Sequence, residues 1–418
     1  MNADILATGD EIRTGALVDT NTAYIAEALT AANVTVARHL CVGDDMGALV
    51  EVLRDIGRRC DLAVVTGGLG PTSDDLSAAA AAAAAGVALK TDLAALASME
   101  AFFSARGRVM GQSNRKQADL PDGAVCLPNP VGTAPGFALT IDRCRFFFLP
   151  GVPGEMRRMM ADQVMPRIGA ITGRCDGVNA MRTVGVFGLT EASVNRCLDG
   201  FAGAFADIKL GFRARFPVIE VKLYGHDSDK NAVDRRLLEG VAWVRGKLGE
   251  NVFTDAGASM AAVVGALLLE RSATVAVAES CTGGLVSHWL TDVPGSSRYF
   301  VCGAVTYANE AKIRVLGVPE KTIAAHGAVS EETVRAMAAG AARVAHVDVA
   351  VATSGIAGPD GGTADKPVGT VWIAVSIGGQ ITSFRRHFPV PDREKNKALF
   401  AMTALDALRR VLLGLPCG

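Results

Sequence analysis

The stretch Ala273-Thr274-Val275-Ala276-Val277-Ala278-Glu279-Ser280-Cys281-Thr282-Gly283-Gly284 decides how the chain reads. Its first half is a short apolar run, the signature of a strand buried on both faces. Its second half is a turn of small residues, and Leu285–Leu290 then resumes as a helix. A strand, a small-residue elbow and a helix present a reactive hydroxyl over backbone amides in α/β enzymes. The glycines let backbone approach a ligand closely, and free N–H groups at the helix start can hold an anion. Ser280 is the nucleophile candidate, but a serine hydroxyl needs a base. Downstream, Val305-Thr306-Tyr307-Ala308-Asn309-Glu310-Ala311-Lys312 supplies a phenol and an amine. Lys312 can be the base if burial lowers its pKa, and Tyr307 can relay a proton or orient the pair. Taken singly, Ser280 reads as a helix N-cap and Lys312 as a surface charge; only the joint pattern favours chemistry. Cys281 is the rival nucleophile, since a thiolate at a helix N-terminus is competent, but an isolated cysteine is more often a small buried residue.

Outward from that stretch, the chain reads as α/β throughout. Five strands are expected in the C-terminal part (Ala273–Ala278, Val301–Thr306, Val347–Thr353, Gly369–Ile377 and Ile381–Phe388), closed by an amphipathic helix over Glu394–Leu413. A second glycine loop, Ser354-Gly355-Ile356-Ala357-Gly358-Pro359, follows the third of these. The N-terminal part alternates strands and helices, which implies a doubly wound, mostly parallel sheet. Ile5–Ala7 empties into Thr8-Gly9-Asp10-Glu11, and Asp61–Val65 into Thr66-Gly67-Gly68-Leu69-Gly70-Pro71-Thr72-Ser73-Asp74-Asp75. Ligands in such sheets lie beyond the carboxyl ends of the strands, where both loops fall. Thr66, Gly67, Gly68 and Gly70 could cradle a pyrophosphate, and Asp10, Asp74 and Asp75 could place a divalent cation against it. The nearly pure alanine run Ser77–Ala85 reads as a packed helix. Between the two parts, strands over Arg182–Phe187, Ile208–Phe212 and Val218–Tyr224 and helices over Glu191–Phe201 and Asn231–Leu248 form a small α+β unit. The expected domains are 1–170, 171–255 and 256–418.

Bulk composition narrows the function. The chain has 418 residues with net charge −1, which offers no basic field for nucleic acid. No apolar run is long enough to span a bilayer, and Met1-Asn2-Ala3-Asp4 does not open a secretory signal. A cytoplasmic protein is expected, without membrane or nucleic-acid partners. Nine scattered cysteines, never spaced CxxC, argue for reduced thiols, and six isolated histidines argue against a histidine metal site.

The motifs AESCTGG (278–284), VTYANEAK (305–312), HGAVSEE (326–332), SGIAGPDGG (354–362) and KPVGTVW (366–372), in this order, resemble the C-terminal domain of the CinA family. That domain is similar to nicotinamide-nucleotide amidases of the PncC type. The resemblance implies deamidation of nicotinamide mononucleotide (NMN) to nicotinate mononucleotide and ammonia, in pyridine-nucleotide salvage, with Ser280, Tyr307 and Lys312 as the catalytic set and no cofactor. Amides around Thr282, Gly283 and Gly284 would hold the oxyanion. Ser354 and Gly355 would touch the substrate and Arg393 would clamp its phosphate. Pro391 and Lys397 depart from the family's usual glycine and arginine. The N-terminal segment resembles the molybdopterin-binding-like domain of CinA proteins, in some relatives a metal-dependent ADP-ribose pyrophosphatase, and the middle segment resembles their KH-like domain, without an evident GxxG clamp for RNA. A homodimer is the expected assembly. The reading of a different class is a nucleotide-binding regulator whose catalytic set is a relic.

Overall fold

Apolar runs and capping residues place the elements close to where the sequence puts them. In the computed structural model, which describes residues 1–172 and 178–417, the chain forms two compact units. One comprises residues 1–180 with 226–233, and the other 181–225 with 234–418. Residues 173–177, just beyond the expected boundary at 170, lie outside the described residues.

The first unit carries β1 (Asn2–Thr8), β2 (Thr35–Val42), β3 (Leu62–Thr66), β4 (Leu89–Thr91), β5 (Asp119–Pro121), β6 (Val125–Leu127), β7 (Gly136–Ile141) and β8 (Cys144–Leu149). Six of these form one sheet in the order β2-β1-β3-β8-β7-β6, while β4 and β5 pair separately. The four strands β2, β1, β3 and β8 run parallel, and β7 pairs antiparallel with both β8 and β6. The wholly buried Leu62–Thr66 run sits centrally, as a strand covered on both faces must. The carboxyl ends of β1 and β3 converge so closely that a Cβ on Gly67 would stand 2.5 Å from the Thr8 carbonyl oxygen. The Gly67 φ of 109° adds a second reason for glycine there. The helix Met46–Arg59 is capped by Asp45, whose carboxylate accepts from the Ala48 amide at 2.7 Å. The alanine run is the expected helix, Ser77–Ala85. Its methyls allow close packing, and Arg54 donates to the Ala83 carbonyl at its end.

The second unit holds two sheets. The smaller takes β9 (Val178–Val186), β10 (Ile208–Arg215), β11 (Val218–Asp227) and β12 (Val252–Thr254) in the order β10-β11-β9-β12. The expected Glu191–Phe201 helix is two pieces, Glu191–Cys197 and Phe201–Ala204, because Gly200 adopts φ 90° between them. The larger takes β13 (Val275–Glu279), β14 (Phe300–Val305), β15 (Val349–Gly355), β16 (Thr370–Ile377) and β17 (Gln380–His387) in the order β14-β13-β15-β16-β17. β14, β13 and β15 are parallel, so three strand ends open on one side of the sheet; β16 and β17 are antiparallel.

The last helix, Arg393–Leu413, departs from the amphipathic expectation. Every residue from Phe400 to Arg409 is buried. It packs on the Met260–Glu270 helix in the core rather than lying at the surface. Its inward polar residues satisfy one another: Asp406 takes Arg409 and Arg410, and Arg409 also donates to the Glu250 carbonyl at 2.8 Å. No helix among the described residues is long and apolar enough to cross a membrane.

Candidate active site

The elbow follows from strand order. β13 lies between β14 and β15, and all five of its residues are buried. At its end the Ser280 amide donates to the Thr353 carbonyl at 3.1 Å, and the Thr306 amide to the Glu279 carbonyl at 2.8 Å. The neighbouring strands therefore clamp the turn from both sides. The chain then reverses with the Gly283 amide on the Ser280 carbonyl at 3.2 Å. Gly283 and Gly284 take φ of 62° and 96°, a region that side chains rarely enter. The helix Leu285–Thr291 begins there.

Lys312 reaches this turn from the helix Asn309–Leu316, one turn after the end of β14. The side chain is 1% exposed. Its Nζ lies 3.1 Å from Ser280 Oγ, 2.9 Å from the Thr306 carbonyl and 3.1 Å from the Tyr307 carbonyl. Burial lowers its pKa, with a smaller opposing effect from Cys281. The arrangement suits a neutral amine. Two N–H bonds satisfy the two carbonyls, and the lone pair is left for the serine proton.

Tyr307 does not meet the expectation of a proton relay. Its phenol is 58% exposed and accepts from Arg393 Nη2 at 2.8 Å; only its main-chain carbonyl touches Lys312. Arg393 also donates to the Gly358 carbonyl at 2.5 Å, so it ties the tyrosine to the second glycine loop. Ser354 is likewise turned away from a substrate role. It is wholly buried, and its hydroxyl donates to the Ala328 carbonyl at 2.7 Å. Gly355 is a packing position, where a Cβ would stand 2.5 Å from the Thr370 carbonyl oxygen.

The oxyanion donors also shift from where the sequence put them. Glu279, wholly buried, turns its carboxylate onto the start of the Leu285–Thr291 helix. It accepts from the amides of Gly284 (2.9 Å), Val286 (3.2 Å) and Ser287 (2.9 Å) and from the Ser287 hydroxyl (2.6 Å). The helix N-terminus is thus already filled by an anion. With Gly283 engaged by Ser280, the amides of Cys281 and Thr282 make no bond to a backbone carbonyl among the described residues. Buried orphan N–H groups are rare enough to suggest a ligand. The Thr282 hydroxyl pairs with that of Thr353 at 2.8 Å, which fixes the second of the two. Cys281 is 3% exposed, and burial pushes its thiol up to about 12, so it is not the thiolate a nucleophile requires.

In the first unit, a cavity of about 430 Å³ opens beyond β1 and β3. Gly67, Gly68 and Gly70 line it, with Thr66, Asp74 and Asp75. Thr66 is a scaffold residue: its hydroxyl accepts from Asn21 at 3.1 Å and donates to the Pro150 carbonyl at 3.0 Å. The expected metal set does not assemble. Asp75 folds onto the Thr72 amide (2.9 Å) and hydroxyl (2.5 Å), closing its own loop. Asp10 pairs with Arg13 at 3.0 Å and does not line the cavity. Among the described residues no group of three or more His, Cys, Asp or Glu side chains converges as a metal site. The three expected carboxylates are therefore not brought together at the cavity, which Asp74 and Asp75 line without Asp10.

Comparison with known proteins follows the same division. Residues 257–412 match the CinA C-terminal domain, and residues 4–170 the probable molybdopterin binding domain. A CinA-like protein of Desulfosudis oleivorans is 49% identical over 413 residues, covering 99% of this chain and 100% of its own. The chain belongs to the CinA-like family. A CinA-like protein of Desulforapulum autotrophicum is 45% identical over 417 residues, with 99% of each chain covered. A solved CinA superfamily protein from Klebsiella pneumoniae is 38% identical, covers 37% of this chain and 96% of its own, and has a TM-score of 0.36.

Three residues of this CinA-like site escaped the sequence reading. Glu279 was passed over as part of the elbow, although an acid just before a helix start is the usual signal of an N-terminal anion. Thr306 carries a carbonyl for Lys312, and its own hydroxyl is buried without a partner among the described residues. Asn396, wholly buried, donates to the carbonyls of Ala357 (3.0 Å) and Val390 (2.8 Å) and pins the second glycine loop. It lies in the charged turn Arg393-Glu394-Lys395-Asn396-Lys397, which gave no hint of its burial.

Proposed function

We propose that the elbow site hydrolyses the carboxamide of NMN, giving nicotinate mononucleotide and ammonia. The observation that carries this reading is the 3.1 Å contact between buried Lys312 and Ser280. The Ser280 hydroxyl passes its proton to neutral Lys312 as Oγ bonds to the amide carbon. The carbonyl electrons move to oxygen, where the Cys281 and Thr282 amides face the new charge. The C–N bond then breaks, and the Lys312 ammonium returns the proton to the leaving nitrogen, which departs as ammonia. A water molecule repeats the sequence on the acyl-serine, with Lys312 again taking the proton, and frees the carboxylate. A positioned base contributes about 10²–10⁴-fold and one oxyanion donor about 10²–10³-fold. No step calls on a metal. The test is ammonia release from NMN by the purified chain. A chain that binds NMN and releases none would favour the regulatory reading.

A second reading concerns the cavity of the first unit. Asn21 lines it, and its Oδ1 is buried there without a partner among the described residues. That orphan acceptor, beside three glycines, supports binding of a nucleotide such as ADP-ribose. Titration of the chain with ADP-ribose, followed by calorimetry, tests it; an Asn21→Ala variant of equal affinity would refute the site.

A further inference from the structure

Within the second unit, the small sheet and two helices of the larger sheet line a cavity of about 440 Å³. Spaces of this size are typical of small-molecule sites. None of its lining residues belongs to the elbow. One wall comes from the small sheet: Phe216 at the turn between β10 and β11, Glu220 on β11 and Phe253 on β12. The facing wall includes Trp289, on the Leu285–Thr291 helix. Gly185 on β9 gives the Phe253 ring its place, since a Cβ there would stand 2.6 Å from Phe253 Cζ.

Two features define what fits. First, the rings of Phe216, Phe253 and Trp289 pair with no other ring or cation among the described residues. Elsewhere in the same unit, Phe201, Phe205 and Trp243 pack on one another. Second, the Glu220 carboxylate is only 17% exposed, accepts no hydrogen bond among the described residues, and meets Arg215 loosely at 3.9 Å. Basic neighbours are not lacking. Arg213 stands opposite it on β10, and Lys222 follows two residues on along the same face. Charge is therefore balanced, and what the carboxylate lacks is a close donor. A carboxylate taken from water without hydrogen bonds carries a cost that a ligand N–H would offset.

We infer that this cavity binds a planar heteroaromatic ring bearing an exocyclic amino group, of the aminopurine kind. The ring lies against Phe216, Phe253 and Trp289, and the amino N–H donates to Glu220. Stacking accepts any flat π system, so the amino group supplies the selectivity. The other lining carboxylate, Asp292, is 61% exposed beside His288 and stays in water. The small sheet is thereby half of a binding site and not a spacer alone.

The test titrates the full chain with adenosine and with purine riboside, which lacks the amino group, by fluorescence and by calorimetry. All three tryptophans, Trp243, Trp289 and Trp372, lie in the second unit, so a fluorescence change reports on that unit. Adenosine is expected to change the emission of the wild type, and Trp289→Phe to lose most of that change while binding heat remains. Purine riboside should bind about tenfold more weakly than adenosine, the value of one hydrogen bond to a charged group. Glu220→Met, which keeps the stem and removes the acceptor, should bind the two ligands alike. Phe216→Ala removes a ring that is 53% exposed, so it should keep the melting temperature and weaken both ligands about tenfold or more. Equal affinity of the wild type for the two ligands, or a preference that survives Glu220→Met, would overturn the inference. So would binding that is unchanged in Phe216→Ala. A chain that gives neither heat nor a fluorescence change with adenosine, as a cavity made for a peptide would, overturns it too.

Discussion

Glu279→Gln is the perturbation that best separates the folding role of the elbow from its chemistry. The carboxylate is wholly buried and accepts four hydrogen bonds of 2.6–3.2 Å from three amides and one hydroxyl. Glutamine keeps the shape but offers one acceptor oxygen, which can serve two of the four donors. Its NH₂ then faces the remaining two. Each buried donor left unpaired costs about 1–3 kcal/mol, giving roughly 2–6 kcal/mol. The neutral amide is easier to bury than a carboxylate, which returns part of that sum. A net loss of about 2–4 kcal/mol follows. For a unit of this size, about 2–4 °C per kcal/mol converts it to a fall of roughly 5–15 °C in melting temperature. Scanning calorimetry of the full chain reads the shift. Activity should fall as well, because Glu279 adjoins Ser280 and its carbonyl holds the Thr306 amide. An unchanged melting temperature would show that the carboxylate does not hold the helix start, and the case for Cys281 and Thr282 as oxyanion donors would lose its basis.

Other outcomes follow from the same geometry. Lys312 must be neutral to act, and burial lowers its pKa, so kcat/KM should rise with pH and level off below the ordinary lysine range. Lys312→Arg should lose at least about 10²-fold, since a guanidinium cannot shed its proton; a normal rate in that variant would rule out the base. Cys281→Ala should keep most activity, and iodoacetamide at neutral pH should leave Cys281 unlabelled, because its thiol is buried and pushed up to about 12. Rapid alkylation there would contradict the burial.

The strands were legible because a strand covered on both faces has to be largely apolar, as Leu62-Ala63-Val64-Val65 and Val275-Ala276-Val277-Ala278 are. The Ser280–Lys312 contact was legible for a related reason. Parallel order brings strand ends together, so motifs after adjacent strands meet. What the sequence hid was direction and pairing. Nothing in Val305–Lys312 says that the Tyr307 phenol turns outward to Arg393 while its carbonyl turns in. The adjacency of Asp74 and Asp75 to a glycine loop suggested a metal, but Asp75 turns Oδ2 onto the Thr72 amide and hydroxyl. The last helix, expected to be amphipathic, carries Thr403, Asp406 and Arg409 among its buried residues. In the fold, Asp406 and Arg409 pair with each other inside the core.

The most direct test of the Ser280–Lys312 account is ammonia release from NMN by the full chain, measured for wild type and Ser280→Ala at matched folding. The account predicts stoichiometric ammonia and nicotinate mononucleotide from the wild type and at least about 10³-fold less from Ser280→Ala. Equal rates from the two proteins would contradict it.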